Sequence, residues 1–348
     1  MGESLLHKLF AKEHSLGLEL SDRSLKLCEV KKTKSGKSRL MQYAKADLPE
    51  GFIEDGKITD WLGVENSLKE LLKSKRFGTK TIHFAVPSQM VMVRNLKLPD
   101  IAQAELKKLV QFEMSHNMRL AFEEPFFDFV KLPKTNELAA SDEGRGDNLC
   151  EVMVVAAPAQ LLRQYRSMFE GLGLQPASFE IKPFSVLRLI EGSKTETVDV
   201  QLVVHVNELQ SEITIISDGQ IQITRYVEVA FQSIVQQQET TENEWLQSYS
   251  SPETTFHNAV QDLVGEMERL LNFYQYTLNS GGKKINNVLL SGDLPDMDEL
   301  RTQMGQAMNQ SVQLLEWPLI ESNLNSGGEW SLSAYAVALG LALRGAER

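Results

Sequence analysis

The chain has 348 residues, 42% hydrophobic and 24% charged, with a formal net charge of −11. That length exceeds what one core serves, so two lobes are expected, and the composition excludes wholesale disorder. The negative balance, with no basic patch to offset it, excludes nucleic acid as a general partner.

Cys28 and Cys150 stand far apart without His or Cys at metal-ligand spacing, which argues against a disulfide framework and a zinc site. No apolar run reaches membrane-spanning length and the N-terminus carries no signal-like stretch, so the chain is expected in the cytoplasm. Residues 1–14 read as a tail. Its Leu5, Leu6, Leu9 and Phe10, with Lys8 and Lys12, suit either one amphipathic turn against a membrane or partner, or a frayed end.

From Ser15 to Val30, apolar alternation broken at Ser21-Asp22-Arg23 predicts a β-hairpin. Leu68, Leu71 and Leu72 mark a helix over Glu65 to Lys75, and Ile82 to Val86 reads as a strand ended by Pro87. A strand from Val91 to Leu98, a helix from Ile101 to about Met118 and a strand from Phe126 to Leu132 suggest an inserted α+β unit. Thr135 to Asp147 reads as a surface loop before a strand over Glu151 to Ala157. A helix from Ala159 stops at Gly171-Leu172-Gly173, and another follows Pro183. Three strands come next, Val200 to Val206, Glu212 to Ser217 and Ile221 to Val229, with Asp218-Gly219 as a hairpin turn. Gln232 to Thr255 reads as a weak helix with a loop, followed by a strong helix over Phe256 to Leu278. A strand at Val288 to Gly292, a helix at Met297 to Met308 and an apolar helix from Trp330 to Arg344 close the chain.

The order of motifs is sharper than the element pattern. Leu16-Gly17-Leu18-Glu19-Leu20-Ser21-Asp22-Arg23-Ser24-Leu25-Lys26-Leu27 resembles the first phosphate hairpin of the type IV pilus assembly protein PilM family. Leu48-Pro49-Glu50-Gly51, Ala85-Val86-Pro87-Ser88, Leu96-Lys97-Leu98-Pro99 and Phe112-Glu113-Met114 follow in the same order. So do Ser217-Asp218-Gly219, Glu266 through Tyr274, Leu289-Leu290-Ser291-Gly292 and Ala336 through Leu343.

The resemblance implies an α/β, actin-like (ribonuclease-H-like) two-lobed fold with an FtsA-type 1C subdomain. Lobe 1, subdomain 1A, would comprise 15–87, 156–197 and 330–348, with 88–155 inserted as 1C. Lobe 2 would comprise 198–231 and 285–329 as 2A and 232–284 as 2B. It further implies a scaffold at the cytoplasmic face of the inner membrane, in a type IV pilus or related competence or pseudopilus machine. The scaffold would bind the cytoplasmic N-terminal tail of a PilN-like bitopic protein in a groove between 1A and 1C. Two alternatives stand beside it: an active actin-like ATPase of the same machine, and a split GspL-like type II secretion component. FtsA itself is disfavoured, because no amphipathic helix follows Gly345-Ala346-Glu347-Arg348.

The same resemblance implies ATP and Mg²⁺ in the cleft. Phosphate is cradled by inward backbone N–H groups, which glycine permits, and magnesium takes oxygen ligands. Where the family pattern has Asp then Gly, this chain has Glu19 and Ser21, with Asp22, Ser24 and Lys26 following. Ser21, Ser24 and Lys26 suit phosphate contact and an ordinary hairpin equally. In the second hairpin His205 stands at the magnesium-facing position, a poor ligand for that ion. Asn207 and Glu208 stand where Gly and a small residue belong, and Gln210 replaces a small hydroxyl residue. Ala230 and Phe231 replace a glycine pair, and Gly292 is followed by Asp293. Glu266 and Arg269, one helical face apart, match the pair that brackets adenosine, and equally suit a surface ion pair. The expectation is at most weak nucleotide binding, without efficient hydrolysis and with no metal site of its own.

Overall fold

The computed structural model describes residues 14–34, 37–118, 120–132, 149–192, 200–231, 252–278, 282, 285–308, 310–316, 321–322 and 331–346. β1 (His14–Leu20) and β2 (Ser24–Lys32) form the expected antiparallel hairpin, Leu20 opposite Leu25. β3 (Ser38–Asp47), which the alternation did not announce, pairs with β2. β4 (Ile53–Glu54) and β5 (Lys57–Ile58) flank a turn in which Asp55 and Gly56 both have positive φ, as a two-residue hairpin requires. α1 (Trp61–Ser74) starts at Asp60, whose carboxylate accepts from the Gly63 N–H at 2.9 Å, and β6 (Thr81–Ala85) then runs parallel to β1.

β7 (Met92–Pro99), α2 (Gln103–His116), β8 (Pro125–Lys131) and β9 (Leu149–Pro158) form a separate antiparallel sheet in the order β7-β9-β8. Leu106, Val110 and Met114 of α2 share a core with Val152, Val154 and Ala156 of β9. The chain returns through α3 (Ala159–Gly171), stopped at Gly173 with φ 74°, β10 (Gln175–Glu180) and α4 (Lys182–Gly192).

Lobe 2 opens with β11 (Val200–Val206), β12 (Ser211–Ser217) and β13 (Gln220–Val227), whose second turn has φ 52° at Asp218 and 71° at Gly219. α5 (Pro252–Phe273) ends in a π turn at Tyr274–Leu278. β14 (Asn287–Gly292), α6 (Met297–Ala307), β15 (Ser311–Leu314) and β16 (Glu321–Ser322) follow, and α7 (Ala336–Ala346) closes the chain. The two large sheets run β10-β6-β1-β2-β3-β16 and β13-β12-β11-β14-β15.

One face of the first sheet buries Leu16, Leu18 and Leu27 against α1 and against Tyr165 and Phe169 of α3. On its other face α7 lies so close that a Cβ on Gly17 would sit 2.0 Å from the Ala338 carbonyl oxygen. The core around α4 and α7 also takes in Val203, Ile216 and Leu289, so the lobes share an apolar floor beneath the cleft. Both cysteines are buried, and neither forms a disulfide. Among the described residues no helix is long and apolar enough to cross a membrane. The N-terminal tail, the loop at Thr135 to Asp147 and most of Gln232 to Thr255 lie outside the described residues.

Candidate functional site

The two hairpins meet where the sheets face each other. In the first turn the Ser21 N–H donates to the Ser24 carbonyl at 2.9 Å, the Ser24 N–H donates to Ser21 Oγ at 3.1 Å, and the two hydroxyls lie 3.1 Å apart. Both serines are thus occupied in holding their own turn. Asp22 accepts from the Gly56 N–H at 3.0 Å and from Gln210 Nε2 of lobe 2 at 3.4 Å. In the second hairpin the Asn207 N–H donates to the Gln210 carbonyl at 2.8 Å, while the Glu208 carbonyl accepts from the Phe231 N–H. The Gly292 N–H donates to the Ser333 carbonyl and the Asp293 N–H to the Val206 carbonyl. Gly292 has φ 141°, and a Cβ there would lie 1.9 Å from Val206 O, so the close approach of strands requires glycine.

Behind the turns lies a buried charge cluster drawn from both lobes. Glu19 Oε1 meets His205 Nε2 at 3.0 Å and Lys182 Nζ at 3.4 Å, and Glu19 Oε2 lies 3.5 Å from Lys26 Nζ. Lys26 Nζ reaches across to Asp293 Oδ2 at 2.9 Å, and His205 Nδ1 to Ser291 Oγ at 3.0 Å. Glu19, Lys26, Lys182 and His205 are all buried. Burial pushes the Glu19 carboxyl up, but Lys26, His205 and Lys182 outweigh it and hold it well below the ordinary carboxylate range. Burial likewise pulls Lys26 down, and Glu19 and Asp293 outweigh it, so the ammonium is held charged. Glu212, pushed up by burial despite Lys182, joins the lobes through Ser88 Oγ at 3.0 Å.

Outside this cluster a cavity of about 390 Å³ opens between the hairpins, lined by Ser21, Asp22, Arg23, Ser24, Lys45, Asp47, Asn207, Glu208 and Asp293 among others. Four carboxylates face it against two cations. The magnesium nucleotide implied by the sequence would find the N–H groups of Ser21, Ser24 and Asn207 already donating, both ring nitrogens of His205 engaged, and Glu19 paired with three cationic or imidazole side chains. Among the described residues no group of three or more His, Cys, Asp or Glu is set to hold a metal. Glu266 and Arg269 do not line the cavity. They pair with each other on α5, and Glu266 also meets Arg225 of β13 at 3.2 Å, tying helix to sheet.

A second concavity, of about 380 Å³, separates the inserted sheet from lobe 1. Asp128, Phe129 and Val130 of β8 and Met153 and Val155 of β9 form one wall; Phe179, Phe184, Leu187, Arg188 and Arg344 belong to the other. Glu180 in its floor accepts a fork from Arg188, at 2.9 and 3.2 Å, and also pairs with Arg344. β8 is an edge strand, and Phe126 on it is 64% exposed.

The sequence reading brought Glu19, Lys26, His205 and Asp293 forward, and the fold places them together. It missed Lys182 and Ser291. Lys182 had a local signal: a cation at the first residue of an apolar helix opposes the helix dipole and calls for a carboxylate nearby. Ser291 had none.

The family described as type IV pilus assembly protein PilM matches residues 17–346. No curated protein sequence matches the chain. A solved PilM-PilN type IV pilus biogenesis complex aligns with a TM-score of 0.79 at 22% identity, over 96% of this chain and 99% of that one. The ethanolamine utilization protein EutJ from Carboxydothermus hydrogenoformans aligns at 0.52 with 13% identity, over 95% and 89%. A diol dehydratase-reactivating factor in nucleotide free form aligns at 0.53 with 8% identity, over 97% and 100%. At such identities these structures speak for the fold, which is the two-lobed actin-like one. The family match runs almost from end to end, and the chain therefore belongs to the type IV pilus assembly protein PilM family.

Proposed function

We propose that this pilus assembly component is a cytoplasmic adaptor at the inner membrane that captures the N-terminal tail of a PilN-like protein and does not turn over ATP. Residues 88–155 act in this reading as subdomain 1C, and the concavity between it and lobe 1 is the tail groove. The observation that carries the proposal is that groove. Its two walls come from different subdomains, and apolar Phe129, Val130, Phe184 and Leu187 stand beside the Glu180–Arg188–Arg344 cluster. Apolar anchors with a few fixed charges suit a short amphipathic peptide. The cleft supports the non-catalytic half of the reading, since Ser21, Ser24, the Asn207 N–H and His205 are engaged internally and a polyphosphate would face mostly carboxylates.

Calorimetric titration with a synthetic peptide of the partner's cytoplasmic tail tests the groove. Val130→Asp changes a 44% exposed side chain, so the fold should stand while tail affinity falls by about tenfold or more. Equal affinity in the variant would remove the tail from this groove. Phosphate release from ATP and magnesium by wild-type protein, lost in a folded Glu19→Ala variant, would overturn the non-catalytic reading.

A further inference from the structure

The residue at the centre of the buried charge cluster is a cation. Lys26 is fully buried, an unusual place for an ammonium, and it is buried between two carboxylates that belong to different lobes. Glu19 comes from β1 of lobe 1 and Asp293 from the loop after β14 of lobe 2. Two facing carboxylates across a cleft are the start of a divalent-cation site. Here the ammonium of Lys26 occupies that place.

We infer that Lys26 is a resident cation, standing where a divalent ion would otherwise bridge the lobes and latching the cleft shut without nucleotide. The charge count supports this. Glu19 and Asp293 are balanced by Lys26 and Lys182, with Lys45 3.8 Å from Asp293 at the more exposed rim and His205 accommodating Glu19 through one ring nitrogen and Ser291 through the other. Adding a divalent ion would leave two positive charges uncompensated in a buried site, which is strongly unfavourable. The latch does not stand alone: Ser88 to Glu212, Gln89 to Gln210 and Tyr226 to Asp55 also span the lobes. Lys26 is the member whose charge both sides require.

The inference rests on the reading that the cleft takes no magnesium nucleotide, and the experiment separates the two. Thermal unfolding of the full chain is followed with magnesium chloride, and with calcium chloride as a larger probe. Wild-type Tm should not move with either ion. Lys26→Ser removes the one ammonium shared by Glu19 and Asp293, leaving Lys182 and His205 on Glu19 and the half-exposed Lys45 beside Asp293, and its Tm should fall by roughly 10 °C. Millimolar magnesium or calcium should restore at least half of that loss, because an ion bound only by the folded state stabilises it. The double variant Lys26→Met with Asp293→Asn removes one charge of each sign; it should fold and ignore both ions. A wild-type Tm that rises in magnesium alone, or a folded Lys26→Ser protein indifferent to both ions, overturns the inference. If Lys26→Ser does not fold, the double variant decides: folding without ion dependence supports the latch, and failure assigns Lys26 to packing. Titration of wild type with magnesium and ATP reads the underlying premise. Binding there ends the premise of an ion-free cleft and the latch with it but leaves a non-hydrolysing adaptor standing, while no binding together with an ion-indifferent Lys26→Ser ends the latch alone.

Discussion

Gly340 lies in α7 where that helix crosses α4, and replacing it with Ala sets two known effects against each other. Alanine favours a helix interior over glycine by about 1 kcal/mol. Yet a Cβ at 340 would stand 2.0 Å from the Ser185 carbonyl oxygen and 2.6 Å from its carbon. Both are backbone atoms and cannot rotate away, so the helices must part by more than 1 Å, roughly the gap that forfeits half the dispersion energy of each facing contact. Arg188 donates to the Gly340 carbonyl at 2.7 Å and would be displaced with it. Overpacking alone costs about 1–3 kcal/mol, and the strained backbone and the Arg188 bond add to that. The steric effect wins, and Gly340→Ala should destabilise the chain by about 2–4 kcal/mol. Gly305 in α6 supplies the opposite sign, because a Cβ there meets nothing within 4 Å. Gly305→Ala should stabilise by about 0.5–1 kcal/mol. Urea midpoints of the three proteins give the comparison. A Gly340→Ala midpoint at or above wild type would refute the close α4–α7 contact.

Glu19→Gln leaves Lys26 with Asp293 and takes from Lys182 the carboxylate it pairs with, and should cost about 3–5 kcal/mol at neutral pH. Its acid behaviour carries a sign. The folded Glu19 carboxyl stays ionised where the unfolded one, near 4.5, takes up a proton. Its contribution is therefore present above about pH 4.5 and lost as pH falls toward the folded value. Asp22 and Glu212, both raised by burial, act in the other direction, so the variant and wild type are compared at each pH. The stability gap between them should narrow below pH 4.5, and a gap constant to pH 3 in denaturant titrations would contradict the ion cluster. Glu266→Ala breaks the α5–β13 tie far from the groove. Tail affinity by calorimetry should stay within about twofold of wild type; a loss in folded protein would place the tail elsewhere.

Much of the fold was legible because it is local. The Ser21-Asp22-Arg23 break, the Asp218-Gly219 turn and the Gly173 stop each announce a backbone conformation within four residues, and all three appear where the sequence put them. Three strands of the first sheet were missed, the two-residue β16 and, for identifiable reasons, β10 and β3. β10 carries Pro176, which argues against a strand, yet β10 is the sheet edge, where a missing N–H is tolerated. β3 is polar at most positions because it is only partly covered, so its alternation is faint.

The sequence by itself determined the family and the two-lobed actin-like plan, since these are written in short motifs and their order. It also supplied Glu19, Lys26, His205 and Asp293 as separate candidates. Only the tertiary structure decided that they form one cluster and that Lys182 completes it. Lys26 and Asp293 stand at opposite ends of the chain and meet only because β2 and the end of β14 are brought together over a shared apolar floor. A lysine reads in sequence as an ordinary surface charge; the fold buried this one between two carboxylates, and the surrounding charges keep it ionised.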